Sequence, residues 1–299
     1  MKRNALIRII LWSFVLLVLI GLFGGLMEDA FDHVPERTRY REQAPTEALV
    51  PAETVYSGST GGKQAFPVSI TGLEIEWVVG DILIQSGDTD EIIVKEEGVS
   101  DPKYTMVLRQ QKDTLKIIFC EEEGIGDFIG FGSSADLSKD LTITVPKNWI
   151  CDSLEIGCAS ATVEVNDLTI REVDFDGASG TCEFENCHVT EMDIDTASGD
   201  VRFIGSLLTL DCDAASADVY AVLSNIPSRL DLDTMSGDLD ITLPADAGFA
   251  LSIDAASSDF ESDFETINKN GNYVCGDGRC RINVSALSGD VSIRKGETA

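Results

Sequence analysis

The stretch Met192-Asp-Ile-Asp-Thr-Ala-Ser-Gly-Asp-Val-Arg-Phe203 is one copy of a phrase that recurs seven times between Leu154 and Ile293. Met192, Ile194 and Thr196 alternate with Asp193 and Asp195, the period-two signature of a half-buried strand. Ser198-Gly199-Asp200 is turn chemistry, because Gly accepts positive φ while Ser and Asp bond nearby backbone groups. Val201 and Phe203 then restart the alternation on a second strand. The copies centre on Ser160, Ser179, Ser198, Ser216, Ser236, Ser257 and Ser288, with gaps by subtraction of 19, 19, 18, 20, 21 and 31 residues. A repeat of this kind constrains the fold before any single motif does.

Neighbouring copies agree position by position. Leu210/Cys212, Leu230/Leu232 and Leu251/Ile253 stand where Met192/Ile194 do, and Val219/Ala221, Leu239/Ile241 and Phe260/Ser262 stand where Val201/Phe203 do. Stacked coils need this agreement, since each inward residue sits on its counterpart one coil away. The expected fold is therefore all-β: a β-solenoid over residues 151–295, as a right-handed β-helix because parallel crossovers almost always take that hand. A β-sandwich is the alternative, as it also places strands every 8–12 residues. Seven coils at ~4.8 Å each would make a stack of about 30 Å, with residues 67–150 forming a first part that caps or extends its start. The long gap before Ser288 reads as an excursion from Glu265 to Arg279 looping out of one coil.

The chain has 299 residues, and Lys+Arg 22 against Asp+Glu 52 gives a net charge of −30. Such a surface repels nucleic acid and anionic headgroups. Residues 9–27, Ile9 to Met27, carry no charge and are long enough to cross a bilayer as a helix. A cleaved signal peptide fits less well, because the run exceeds the usual apolar length and no Ala-x-Ala site follows. Lys2, Arg3 and Arg8 precede it, and Glu28 and Asp29 follow. The positive-inside rule then makes 1–8 a cytoplasmic tail and places the bulk outside, a single-pass protein held in the cell membrane. Residues 28–66, with Pro35, Pro45, Pro51 and a Ser-Gly-Ser-Thr-Gly-Gly tract, read as an extracytoplasmic linker.

From Gly72 strands are expected again, at Leu73–Trp77, Asp81–Gln85, Glu91–Lys95, Tyr104–Arg109, Thr114–Phe119 and Leu141–Val145. Val79-Gly80-Asp81 is a degenerate eighth copy of the turn. Gly124 to Gly132 interrupts them; its glycines match no phosphate-binding loop. It reads first as a hairpin connector, with Phe128, Ile129 and Phe131 as a sticky loop the alternative. Taken together, Leu73-Glu-Ile-Glu-Trp-Val-Val-Gly-Asp-Ile-Leu-Ile84, Leu141-Thr-Ile-Thr-Val-Pro146 and the serial Ala-Ser-Gly-Asp copies resemble the bacterial adhesin-like family of membrane-anchored β-repeat envelope proteins. LiaG-like members of that family are associated with envelope-stress loci. The resemblance covers residues 68–295 and implies a β-solenoid-like ectodomain in the cell envelope, with no catalytic residues to carry over.

The residues themselves point away from catalysis. His33 and His188 are the only histidines, and neither spacing suggests a Ser–His–Asp arrangement. The repeated Ser is a turn former, since a nucleophile is not needed seven times. Among the eight cysteines, Cys158, Cys182 and Cys212 occupy inward phases as small apolar residues. Cys275-Gly-Asp-Gly-Arg-Cys280 could close into a disulfide or stay as two free thiols, and has no second pair to complete a zinc site.

What remains is an outward wall of carboxylates. Asp174, Asp193, Asp211 and Asp231 share one phase, and Asp176, Asp195, Asp213, Asp233 and Asp254 share the next. A third column, Asp200, Asp218, Asp238, Asp259 and Asp290, follows the turn, where backbone N–H groups can satisfy it. Calcium bridging Asp174, Asp176, Asp193, Asp195, Asp211, Asp213, Asp231 and Asp233 would relieve the repulsion; a solvated acidic face is the simpler account. The expected function is a non-catalytic, membrane-anchored envelope protein presenting this solenoid for adhesion or for binding a basic protein or envelope component. An envelope-stress regulatory subunit and a calcium-stabilised β-roll are the alternatives.

Overall fold

The computed structural model describes residues 54–57, 62–99, 101–120, 138–269 and 272–296. All fall in one of the chain's two units, Pro51–Ala299. The expected tail 1–8, the span 9–27, most of the linker and the loop 124–132 lie outside them. Among the described residues no helix is long and apolar enough to cross a membrane.

Along the chain come β1 Thr54–Ser57, β2 Lys63–Phe66, β3 Gly72–Gly87, β4 Ile92–Glu97, β5 Val107–Gln111, β6 Thr114–Ile118 and β7 Asp140–Pro146. The repeats follow as β8 Ile150–Asn166, β9 Thr169–Ser179, β10 Cys182–Ser198, β11 Val201–Ser216, β12 Val219–Leu223, β13 Arg229–Ser236 and β14 Leu239–Leu243. Last are β15 Phe249–Ser257, β16 Phe260–Ser262, β17 Ile267–Lys269, β18 Asn272–Cys275, β19 Cys280–Ser288 and β20 Val291–Lys295. Two of these, β1 and β2, lie inside the stretch expected to be linker; they pair antiparallel with β5 and β4. Short strands at an edge need no apolar run of their own, so their composition hid them.

The repeats form a β-solenoid. Strand segments before the Ser-Gly-Asp corner pair with one another in parallel, and so do the segments after it, giving two ladders that run the length of the stack. Ser160, Ser179, Ser198, Ser216, Ser236, Ser288 and Ser257 stack in register on the first ladder. Inward residues of both ladders share one core, in which Leu154, Val173, Ile194, Phe184, Leu230 and Ile282 are all buried. Val79-Gly80-Asp81 lies directly on Ser160-Ala161-Thr162, so the degenerate copy belongs to the stack. The corner glycines are required sterically. Gly199 has φ 134°, and a Cβ there would lie 1.7 Å from the Gly180 carbonyl oxygen of the next coil.

The stack does not follow chain order. The coil of β19 and β20 lies between the coil of β13 and β14 and the coil of β15 and β16, pairing in parallel with both. The expected excursion exists as the β17–β18 hairpin, and β18 runs antiparallel along the outer edge of β15. A matching inversion stands at the other end, where β3 lies between β8 and the coil of β6 and β7.

This arrangement also places the two cysteines read as either a bridge or two free thiols. Cys275 and Cys280 are free thiols, each the register partner of Phe249 from opposite sides. Two strand spacings of ~4.8 Å separate them, beyond the ~4.4–6.8 Å between Cα atoms that a disulfide allows.

One charged pair is buried beneath the first coils. Lys139 and Glu96 are 2% and 0% exposed and form an ion pair. The Lys139 ammonium also donates to the carbonyls of Phe119 and of Tyr104 (2.6 Å), while Glu96 accepts from the Met106 N–H at 2.8 Å. Burial pushes the Lys139 pKa down, against the opposing pull of Glu96.

Candidate functional site: an acidic ladder face

Residues that alternate with the core on the first ladder point to solvent, and the register brings their carboxylates into columns. The first reads Glu74, Glu155, Asp174, Asp193, Asp211, Asp231 and then Asn283. The second reads Glu76, Gly157, Asp176, Asp195, Asp213, Asp233 and then Ser285. All eight residues expected as cation ligands therefore stand side by side on one face. Asp254 does not adjoin Asp233, because the inserted coil places Ser285 between them. Glu74, Glu76 and Glu155 extend the columns and were missed as site residues, although their phase relative to Leu73 and Leu154 carries the signal.

Like charges one coil apart, ~4.8 Å, repel by about 1 kcal/mol in water and about 3.5 kcal/mol at an effective dielectric of 20. A donor closes both columns at their start, and donors close the first column at its far end. Lys116 bridges Glu74 at 2.8 Å and Glu76 at 2.6 Å. Burial opposes its charge, but the hydrogen bonds and charges of the two glutamates raise its pKa overall. At the other end Asn283 Nδ2 donates to Asp231 Oδ1 at 2.7 Å, and Arg229 pairs with Asp231. Burial would raise the Asp231 carboxyl, yet the bonds from Arg229 and Asn283 hold it below its usual range.

The middle differs. Asp176 is pushed up to about 7, first by burial and then by the charges of Asp174, Asp195, Asp193 and Glu155. Its Oδ1 is buried with no hydrogen-bond partner among the described residues. Even so, no group of three or more His, Cys, Asp or Glu converges as a metal site among the described residues.

The turn column behaves as its position predicts. Asp218 Oδ1 accepts from the Asp238 N–H at 2.8 Å, Asp238 Oδ1 from the Asp290 N–H at 2.9 Å, and Asp290 Oδ1 from the Asp259 N–H at 3.1 Å. These carboxylates fasten one corner to the next and are committed to structure. The corner serines act likewise: the Ser179 hydroxyl donates to the Ala159 carbonyl at 3.3 Å.

Burial also pushes the thiols of Cys158 and Cys187 up to about 11 and those of Cys151, Cys212 and Cys280 up to about 12, which makes them poor nucleophiles. A cavity of about 320 Å³ beside the last coils is lined by Glu261, Ser262, Asp263, Ser292, Ile293 and Arg294. It contains no histidine, and Arg294 is tied to Asp240 by contacts of 3.0 and 2.9 Å.

A family model described as Toastrack DUF4097 matches residues 70–180 and again residues 151–294. No curated protein matches the chain. Among solved structures, a candidate cell adhesion protein from Clostridium sporogenes ATCC 15579 is similar at 12% identity and a TM-score of 0.36, over 82% of this chain and 100% of that one. A candidate adhesin from Bacteroides fragilis NCTC 9343 is similar at 11% identity and a TM-score of 0.44, over 83% of this chain and 100% of that one.

Proposed function

Because this chain belongs to the Toastrack DUF4097 family, we propose that it is a non-catalytic envelope protein whose acidic ladder face binds a basic protein or other cationic envelope component. Ile9–Met27 would anchor it in the cell membrane as a single pass, with the amino terminus cytoplasmic and the solenoid outside. The observation that carries the reading is the in-register wall from Glu74 to Asp231, whose repulsion recurs at every coil. A surface that concentrates charge of one sign attracts the opposite sign over long range and speeds its capture. A solenoid suits such a role, since its flat ladders present extended binding surfaces.

The test measures retention of the full chain on a poly-lysine surface across a salt series. Asp174→Asn with Asp193→Asn and Asp211→Asn should weaken retention about tenfold or more and flatten its salt dependence, since each neutralised rim charge acts through steering. Glu164→Gln with Glu183→Gln and Asp240→Asn removes the same charge from the second ladder and should change little. Equal losses in the two triple variants would show that net charge, not this face, does the binding.

A second reading takes Asp174, Asp176, Asp193, Asp195, Asp211, Asp213, Asp231 and Asp233 as calcium ligands. The observation on its side is the buried Oδ1 of Asp176.

A further inference from the structure

The inserted coil points to self-association. Among the described residues, β15 pairs with β18 and β19, and β16 with β20; neither pairs with β13 or β14. The coil 249–262 is thus joined to the rest of the solenoid through the coil 280–295. Removing that coil would expose two parallel edges with the same phase, because Ser236 and Ser257 both stack on Ser288.

The coil 280–295 carries its own means of recognition. Ile282, Val284, Val291 and Ile293 are 0, 2, 1 and 0% exposed. Its first backbone amides reach both walls: Cys280 N–H donates to the Gly248 carbonyl at 3.1 Å and Arg281 N–H to the Ser228 carbonyl at 3.1 Å. Asn283 bonds Asp231, Asp290 links Asp238 to Asp259, and Arg294 holds Asp240. Charge makes the slot selective. Its walls present Arg229, Asp231, Asp233, Asp238 and Asp240 on one side and Asp254, Asp259 and Glu261 on the other. Arg281 lies beside Arg229, so the answering charges of the inserted coil are Arg294 and Lys295 against the single Asp290, and Asn283 and Ser285 stand where β9, β10, β11 and β13 carry aspartate. Those other repeats would bring carboxylates into an already acidic slot.

We propose that this slot, between the coils 229–243 and 249–262, is a self-association site that accepts residues 280–295 of a second copy of this chain. The same contacts can be made by a coil from a second copy; because only residues 276–279 join it to β18, which pairs with β15, that coil arrives together with its β17–β18 hairpin. An element exchanged between identical protomers recreates the same contacts, at low cost, in a closed two-fold dimer. The pairing would also join two acidic faces in one particle, so a partner could be held bivalently. Self-association through this slot does not require the acidic face to be occupied.

Two single-cysteine additions test it on the full chain carrying Cys275→Ser. Asp231 and Asn283 are register partners, so cysteines at both positions would lie ~4.8 Å apart, within disulfide range. Asp231→Cys and Asn283→Cys are placed on separate chains, unfolded together, refolded and oxidised. Exchange predicts a covalent dimer joined through these two positions. At low yield, its ratio to monomer should rise about tenfold for a tenfold rise in protein concentration, by mass action. A single chain bearing both substitutions should close within itself and reports that the slot has formed. If that chain closes while the mixture stays monomeric at every concentration, exchange is overturned. If neither cross-links, the inserted order of coils is itself wrong and the proposal goes with it.

Discussion

Asp176→Asn should stabilise the solenoid, and only where the carboxyl would be ionised. Asp176 lies between Gly157 and Asp195 in the second column, with Glu155, Asp174 and Asp193 around it. Its carboxyl is pushed up from 3.8 to about 7, first by burial and then by those charges. The folded chain therefore holds a proton that the unfolded chain has released. Stability relative to the alkaline form is fully present below pH 3.8, falls as pH rises towards 7, and is level above it. A shift of about three units corresponds to about 4 kcal/mol, but water reaching this half-buried group screens it to about 1–2 kcal/mol. Asparagine keeps the shape and cannot ionise. At pH 8 the substitution should raise Tm by about 2–8 °C, taking ~2–4 °C per kcal/mol for a domain of this size. At pH 4 it should change little. Circular-dichroism melts of the full chain at both values decide the matter. A loss of stability at pH 8, or an equal gain at pH 4, would refute the account of Asp176 as a penalised ionised group.

Other expectations follow from the same geometry. Gly199→Ala would force a Cβ to 1.7 Å from the Gly180 carbonyl, so urea unfolding should show a loss of about 3 kcal/mol or more, as for other strained backbone sites. Lys139→Met should cost about 3–5 kcal/mol by leaving Glu96 buried and uncompensated, and adding Glu96→Leu should recover most of it; no recovery would mean that the pair is not the source of the loss. Alkylation of the unfolded, unreduced chain should label both Cys275 and Cys280, and a protected pair would show that the bridge forms instead. Calcium and chelator should move the melting curve no more than equal ionic strength of sodium chloride does. A calcium-specific rise that disappears in Asp193→Asn with Asp213→Asn would favour the calcium reading.

Much of this protein is legible in one dimension because its information is local. Alternation in Met192–Thr196 sets which side chains face the core, and Gly199, at φ 134°, sets where the chain turns. With one period repeated, the parallel stack, the inward cysteines, the outward acidic columns and the corner role of serine and aspartate all follow. Edge strands such as β1 and β2 were hidden because they borrow their pairing from partners distant in sequence. The Lys139–Glu96 pair was hidden for a related reason, since a charge on β4 and another just before β7, 43 positions apart, look like surface residues until the core closes round them.

The order of the coils belongs to the tertiary structure alone. Every copy carries the same phrase in the same phase, so Ser236 could stack on Ser257 or on Ser288 with equally good register. Local sequence cannot separate the two orders. The choice rests on what meets across the coils: Asn283 against Asp231, Arg294 against Asp240, and Phe249 as the register partner of both Cys275 and Cys280. Those contacts join residues as far apart as 52 and 54 positions. They decide where the acidic columns end, whether a disulfide can form, and where a second copy can enter. Periodicity determines how each coil is built; complementarity between coils, which exists only after folding, determines their order.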